Sequence, residues 1–415
     1  MPHAPPAVRA LGGREPPIPV AEVSAAGATA GPTGVGELDR VLGGGLVPGS
    51  VTLVGGEPGM GKSTLVLQML GRMADRGARC LLVTGEESRE QVRTRAERVG
   101  ALAAGLLVVA ETSLPDVVAH AEAVAPHVFA MDSIQTVVDP DLPGLPGSVT
   151  QVRECAYRLV QLAKQRDLAT VLVGHVTKDG SLAGPRTLEH VVDTVLSFDG
   201  DRHHGMRMLR ALKHRFGGTQ ELGLFEMTEH GLADVPDPSA LFLADRRPDA
   251  PGSVIVPVLE GARPLLVEVQ ALVAPTQAPL PRRSAPGLDA GRVALLLAVL
   301  EQRGGIPVQR ADVYASVAGG LRVTETGADL AVVLAVAGAQ LERMVPADAI
   351  VVGEVGLGGE VRSVSQAGRR LAEAVRLGFR RVFGPASLPH QRGLENVAVA
   401  DVAQAVKCAL VPAPP

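Results

Sequence analysis

Between Val51 and about Met227, short runs of consecutive apolar residues alternate with longer stretches of helical character. The short runs are VTLVG, CLLVTG, HVFAMD, ATVLVGH and VDTVLSF, and STLVLQMLGRMADRG is typical of the longer ones. A strand covered on both faces has no polar side to show, so it reads as an unbroken apolar run. The alternation therefore predicts an α/β fold built on a parallel-rich sheet.

Residues 1–30 are rich in Ala, Pro and Gly, lack periodicity and offer little apolar surface to offset the cost of ordering, which predicts a flexible tail. Pro, Gly and Ser cluster again in APTQAPLPRRSAPG (274–287), which reads as a linker. The expected layout is an ATPase-type domain over 31–273, that linker, and a smaller α/β domain over 288–415. The last contains a buried helix in RVALLLAVLEQRGG, an apolar stretch at 330–341 and the strand-like AIVVGEVGL. No repeat of solenoid or propeller length is present.

Composition narrows the classes. Apolar residues make up 46% and charged residues 20% of the 415, which suits a globular chain. The formal net charge of −4 gives no overall basic field, so nucleic-acid binding would need a local patch. Cys80, Cys155 and Cys408 are too far apart for a disulfide framework or a paired metal motif. No apolar run reaches the roughly 18 residues that span a bilayer, and the first residues mix prolines with charges, so a cytoplasmic protein with no membrane partner is expected.

The most specific chemical signal is GEPGMGKST, comprising Gly56, Glu57, Pro58, Gly59, Met60, Gly61, Lys62, Ser63 and Thr64. It satisfies G-x-x-x-x-G-K-[ST] and stands between a strand and a helix, where backbone amides and the helix dipole favour phosphate. Lys62 would reach the β- and γ-phosphates of ATP, and Ser63 would ligate Mg²⁺. The run HVFAMDS ends in Asp132, the expected second acid beside Mg²⁺; the bland alternative is a helix cap. Hydrolysis also needs a carboxylate in reach of the attacking water. Glu86, just past CLLVTG, is favoured, with Glu87 as second choice; otherwise both acids merely begin the helix that follows.

With these motifs placed, the chain from residue 33 onward resembles the bacterial RadA (Sms) family of RecA-like ATPases. The segments that carry the resemblance are TGVGELDRVLGGGLVPGS (33–50), VTGEES, DSIQTV (132–137), GHVTKDGSLAGPRTLEHVVDTVL (174–196) and KHRFG (213–217). The last is similar to the family signature KNRFG, with His214 in place of Asn. The resemblance implies a homohexameric DNA motor active in recombination and recombinational repair, with single-stranded and branched DNA and the RecA recombinase as partners. It also implies that Glu86 or its neighbour orients the water, and that Lys213 and Arg215 serve ATP turnover across a subunit boundary. DNA would meet loops at about 137–150 and 176–190, the second carrying Lys178 and Arg186. A signalling or clock-type RecA-like ATPase or kinase, indifferent to DNA, is the rival.

The C-terminal third is similar to the Lon-protease-like domain of that family, in GGLRVTETGADLAVVLAVAG (319–338) and VVGEVGLGGEVRSVSQAGRRLAEAVRLGF (351–379). The resemblance puts Gly327 at the nucleophile position and Gly368 or Arg369 at that of the activating lysine, so no peptidase is expected. Arg282, Arg283, Arg310 and Arg322 are loose candidates for DNA contact. RadA proteins usually begin with a four-cysteine zinc finger, whereas no cysteine precedes Cys80 here and His3 is isolated, so zinc is not expected.

Overall fold

A computed structural model describes residues 19–22, 29–175, 188–200 and 206–413. Most of the expected tail, including His3, and the loop residues Lys178 and Arg186 lie outside the described residues.

The apolar runs form a nine-stranded sheet from β1 (Val51–Gly56), β2 (Cys80–Thr84), β3 (Leu106–Ala110), β4 (Val128–Asp132), β5 (Ala169–His175), β6 (Thr194–Gly200), β7 (Met206–His214), β8 (Leu222–Thr228) and β9 (Gly231–Asp234). Its order is β3-β2-β4-β5-β1-β6-β7-β8-β9, with parallel pairing from β3 to β6 and antiparallel pairing from β6 onward. Helices α1 (Gly36–Val41), α2 (Lys62–Asp75), α3 (Arg89–Arg98), α4 (Leu114–Val124) and α5 (Val149–Gln165) join its strands or pack on it. Buried side chains form one core on each face of this sheet, one containing α2 and α3, the other α4 and α5. Because β2 leaves β1 and returns beyond β4 and β5, the chain reverses its winding beside β1, the place where open α/β sheets bind ligands at their carboxyl ends.

The second unit contains α6 (Pro238–Leu243), the long hairpin β10 (Ser253–Glu260) and β11 (Arg263–Pro275), β12 (Arg283–Ser284), β13 (Ala311–Val317), and helices α7 (Ala290–Gly304), α8 (Asp329–Leu341), α9 (Ala367–Arg376) and α10 (Val402–Ala409). Its core surrounds α8, whose residues from Asp329 to Gly338 are buried on every side.

Strand pairing runs across the segment 274–287 that reads as a linker. β11 continues to Pro275, opposite Ala311, and β12 pairs with β13. The composition misleads there because Arg283 donates to the carbonyls of Val308 (2.9 Å) and Ala311, and Arg282 N–H donates to Asp312 (2.7 Å). The hairpin before it shares a buried core with the C-terminal residues, and that core also takes in Leu222, Leu224 and Val235.

Candidate functional site

The carboxyl ends of β1, β2, β4 and β5 meet at one edge of the sheet. Strand register sets Thr84 beside Asp132, Asp132 beside Val173, and Gly56 beside His175. Residues 56–64 turn from β1 into α2 through Gly59 and Gly61; at Gly61 φ is +102°, and a Cβ would stand 2.7 Å from Met227 Cε, so only glycine fits without strain. Lys62 is buried, and its ammonium donates to the carbonyls of Gly56 (2.8 Å) and Glu57 (2.9 Å), which folds the loop around it. Burial pushes the Lys62 pKa down, while Asp132 and Glu86 pull it back up.

Asp132 ends β4, largely enclosed. Burial raises its pKa, the Ser63 hydroxyl opposes that by hydrogen bonding, and nearby Glu86 adds to it. One oxygen, Oδ1, is buried with no hydrogen-bond partner among the described residues. An enclosed carboxylate with an unused oxygen beside a serine hydroxyl is a hard-oxygen donor set that fits Mg²⁺. The ion would supply charge to the phosphate oxygens, and Ser63 and Asp132 are the residues placed to hold it.

Of the two glutamates after β2, only Glu86 faces this cluster. Its Oε1 accepts from Ser133 Oγ (2.6 Å) and lies 3.0 Å from His175 Nε2. Burial works to raise its pKa, but the bonds from Ser133 and His175 and the charge of Lys62 outweigh it and hold the carboxyl below its usual value. Gly85 makes the approach close, since a Cβ there would stand 2.0 Å from Thr136 Oγ1. Glu87 instead pairs with Arg95 on α3, and its N–H donates to Thr84 Oγ1. Helix α3 starts only after Ser88, whose reciprocal hydrogen bonds with Gln91 form a capping box, so neither glutamate belongs to its first turn.

Ser133 and His175 were not singled out in the sequence. Each directly follows or ends an apolar run, and only the β2-β4-β5-β1 order brings them to Glu86. The carbonyl of His175 accepts from Gln135 (3.3 Å), and its Nδ1 is buried without a partner among the described residues.

Lys213 and Arg215 stand elsewhere. Lys213 pairs with Val195, which neighbours Leu53, so at about 3.3 Å per residue it lies roughly 10 Å down the sheet from Gly56, towards the opposite edge. Its ammonium donates to the carbonyls of Glu189 (2.6 Å) and Val192 (2.7 Å), and burial lowers its pKa, with Arg215 adding to the effect. Arg215 is exposed and lies 3.7 Å from Asp193. His214 is a structural tie, bridging Thr194 Oγ1 (2.9 Å) and the carbonyl of Leu42 (3.2 Å).

In the second unit, the residue that faces Gly327 is Arg370, not Gly368 or Arg369. Arg370 is 1% exposed and donates to Glu325 (2.7 and 2.5 Å) and to the carbonyls of Pro257 (2.7 Å) and Ser365 (2.9 Å). Arg369 points to the surface and reaches the Ala262 carbonyl at 3.3 Å. Gln366, with φ of +51°, precedes the helix, whose buried residues are Arg370, Leu371 and Ala374. A glycine opposite an ion-paired guanidinium supplies neither nucleophile nor base.

The family model described as "ATPase: KaiC" matches residues 31–233, the span of the nine-stranded sheet and its helices. Proteins named DNA repair protein RadA from Streptococcus pyogenes and Bacillus subtilis are 47% and 46% identical over 379 and 399 residues. These alignments cover 90% and 95% of this chain and 83% and 87% of theirs. The protein of that name from Synechocystis is 48% identical over 384 residues, 88% of this chain and 75% of its own. Since the likeness extends across both units, the chain belongs to the RadA family and is a RecA-type ATPase.

Proposed function

We propose that this ATPase is a DNA-dependent motor that extends heteroduplex and processes branched DNA in homologous recombination and recombinational repair. The observation that carries the hydrolytic part is the Glu86 carboxylate, held in its charged form by Ser133 and His175 beside the Lys62 loop. Glu86 takes the role of base towards water in line with the γ-phosphate, Lys62 neutralises phosphate charge, and residues 56–64 cradle the nucleotide through their amides.

Lys213 and Arg215 lie too far down the sheet to serve the nucleotide of their own chain, which favours action on ATP held by a neighbouring copy in a homohexameric ring. The relatives' name, DNA repair protein, supports DNA as the partner, and RecA recombinase is the expected protein partner. Arg282 stays available for DNA, whereas the Arg283 guanidinium is already used within its own unit. Among the described residues no helix is long and apolar enough to cross a membrane.

The match to a KaiC-type model favours, as a second reading, a clock-type ATPase that needs no DNA. ATPase assays with and without single-stranded and branched DNA separate the two. Stimulation that disappears in Lys62→Ala supports the motor; turnover indifferent to DNA favours the second reading.

A further inference from the structure

We infer that the outer edge of β3, with the apolar groove beside it, binds an extended segment of a partner protein whose apolar side chains alternate and whose flanks are acidic. This surface lies outside the nucleotide site, so its occupant goes beyond the hydrolytic reading above.

β3 is one end of the nine-stranded sheet, four strands from β1 and so about 19 Å from it at the usual spacing. The N–H of Cys80 donates to the carbonyl of Gly105 (2.8 Å), and the N–H of Glu111 donates to the carbonyl of Thr84 (3.0 Å). In a parallel pair every second residue bonds to the same neighbour, so residues 105, 107, 109 and 111 face β2, and Leu106, Val108 and Ala110 turn their backbone groups outward. The Leu106 N–H donates to Ala103 (3.0 Å), whereas no strand takes the N–H and carbonyl of Val108 or the N–H of Ala110 among the described residues.

A sheet edge is ordinarily blunted by a charge, a proline, a bulge or shortness. The opposite end of this sheet is blunted: β9 has four residues and ends in Asp234, which accepts from the Gly36 N–H (2.9 Å) and lies 3.9 Å from Arg72. β3 reads LLVVA, five apolar residues of which none is fully buried. An edge of that kind is a template for another chain.

The groove defines the side chains of that chain. It has a volume of about 520 Å³ and lies between α3 and β3, with Leu67, Leu82 and Val92 at its base and Leu106 and Val108 along one wall. Leu106 and Val108 share one face of β3, so a strand added beside them turns every second side chain towards the groove. Arg89 and Arg93, one turn apart on α3, stand exposed on the rim, and neither makes a hydrogen bond or ion pair among the described residues. The acid of the rim, Glu90, is bonded to Ser88. The arginines call for carboxylates, and the open backbone groups of β3 call for a peptide rather than a nucleic acid, which has no amide ladder to offer. Lys62, Glu86, Lys213 and Arg215 do not line this groove, so it makes no claim on the residues that serve ATP within or between copies.

The test uses the full chain and two fluorescein-labelled heptapeptides, DVTVTVD and KVTVTVK, read by anisotropy. The acidic peptide is expected to bind more tightly than the basic one, by up to about 30-fold for two surface charge pairs, and Arg89→Gln with Arg93→Gln should remove that preference. Val108→Pro is expected to lose binding, because it deletes an outward N–H that the ladder to β2 does not use, a place where an edge strand tolerates proline. Hydrogen exchange at Val108 and Ala110 should slow when the acidic peptide is added. ATP turnover without peptide stays at the wild-type level in these variants, which reports that the fold is intact. Equal affinity in Val108→Pro and wild type, binding of neither peptide, or slowed exchange only elsewhere overturns the inference. So does a lower oligomeric mass in Val108→Pro, which makes the edge a contact between copies, and so does displacement of the peptide by single-stranded oligothymidylate, which makes it a nucleic-acid surface. None of these outcomes touches ATP turnover, so the hydrolytic reading is judged separately.

Discussion

Ser133 donates a 2.6 Å hydrogen bond to the Glu86 carboxylate across the ends of the neighbouring strands β2 and β4, and His175 approaches the same oxygen at 3.0 Å. The arrangement distinguishes Glu86 from Glu87, which is turned to Arg95. Glu86→Gln should therefore lower ATP turnover roughly 10²- to 10⁴-fold, the usual worth of a positioned general base, with nucleotide binding retained. Glu87→Gln should leave turnover near the wild type. Steady-state hydrolysis beside fluorescent-nucleotide binding checks both, and the reverse order would transfer the role to Glu87.

Action between copies predicts complementation. Lys62→Ala and Arg215→Ala should each be nearly inactive, the second by roughly 10³- to 10⁵-fold if it acts as an arginine finger. Mixed in equal amounts, they should regain turnover, because some interfaces join an intact Lys62 to an intact Arg215. Mixtures no more active than their components would place Arg215 outside the reaction.

Arg370, buried beside Gly327, is paired with the partly exposed Glu325. Arg370→Met removes one partner and leaves a carboxylate with no counter-charge, a change that costs about 3–5 kcal/mol when the remaining charge is fully buried and less here, because Glu325 is 25% exposed. Thermal unfolding should show a lower Tm for the second unit, and Arg370→Met with Glu325→Leu should recover much of it. Peptide hydrolysis should be absent in every form.

Arg376 bridges Asp237 (2.6 and 2.7 Å) and Glu373 (2.8 and 2.9 Å). The Asp237 pKa is lowered mainly by hydrogen bonds from Arg376. For Glu373, burial raises the pKa, but bonds from Arg376 and Ser239 outweigh it and the net shift is also downward. A carboxylate depressed in the folded state contributes stability above its unfolded pKa, about 4 for both groups, and loses it as pH falls through the folded value. Stability should thus decline below about pH 4, and Arg376→Gln should lessen that decline. A melt series from pH 6 to pH 3 measures it; equal slopes in the two proteins would remove the bridge as the cause.

Much of the candidate site is legible in the sequence because its residues are local. Residues 56–64 carry loop, lysine and hydroxyl within nine consecutive positions, and Asp132 and Glu86 each follow an apolar run that could only be a strand. Ser133 and His175 escaped because their partner lies 47 and 89 positions away and is reached only through strand order. Residues 274–287 misled for the same reason: their hydrogen bonds go to residues 308–313, and composition carries no trace of them. The sequence points to Arg369 instead of Arg370 because the two are adjacent, and only the packing of their helix, which buries Arg370 with Leu371 and Ala374, tells them apart.

β11 is thirteen residues long, about 40 Å at the usual rise. At one end Arg263 grips Glu37 and the Leu222 carbonyl of the ATPase unit, and at the other Pro275 is laced to Ala311. β10 holds β11 along one edge from Arg263 to Gln270 and β13 holds it along the other from Val269 to Pro275, so a partner strand supports it over its whole length. A shift of α1 would therefore reach the second unit through Glu37, Arg263 and a strand paired at every residue, so the two units are tied by backbone rather than by a loose hinge.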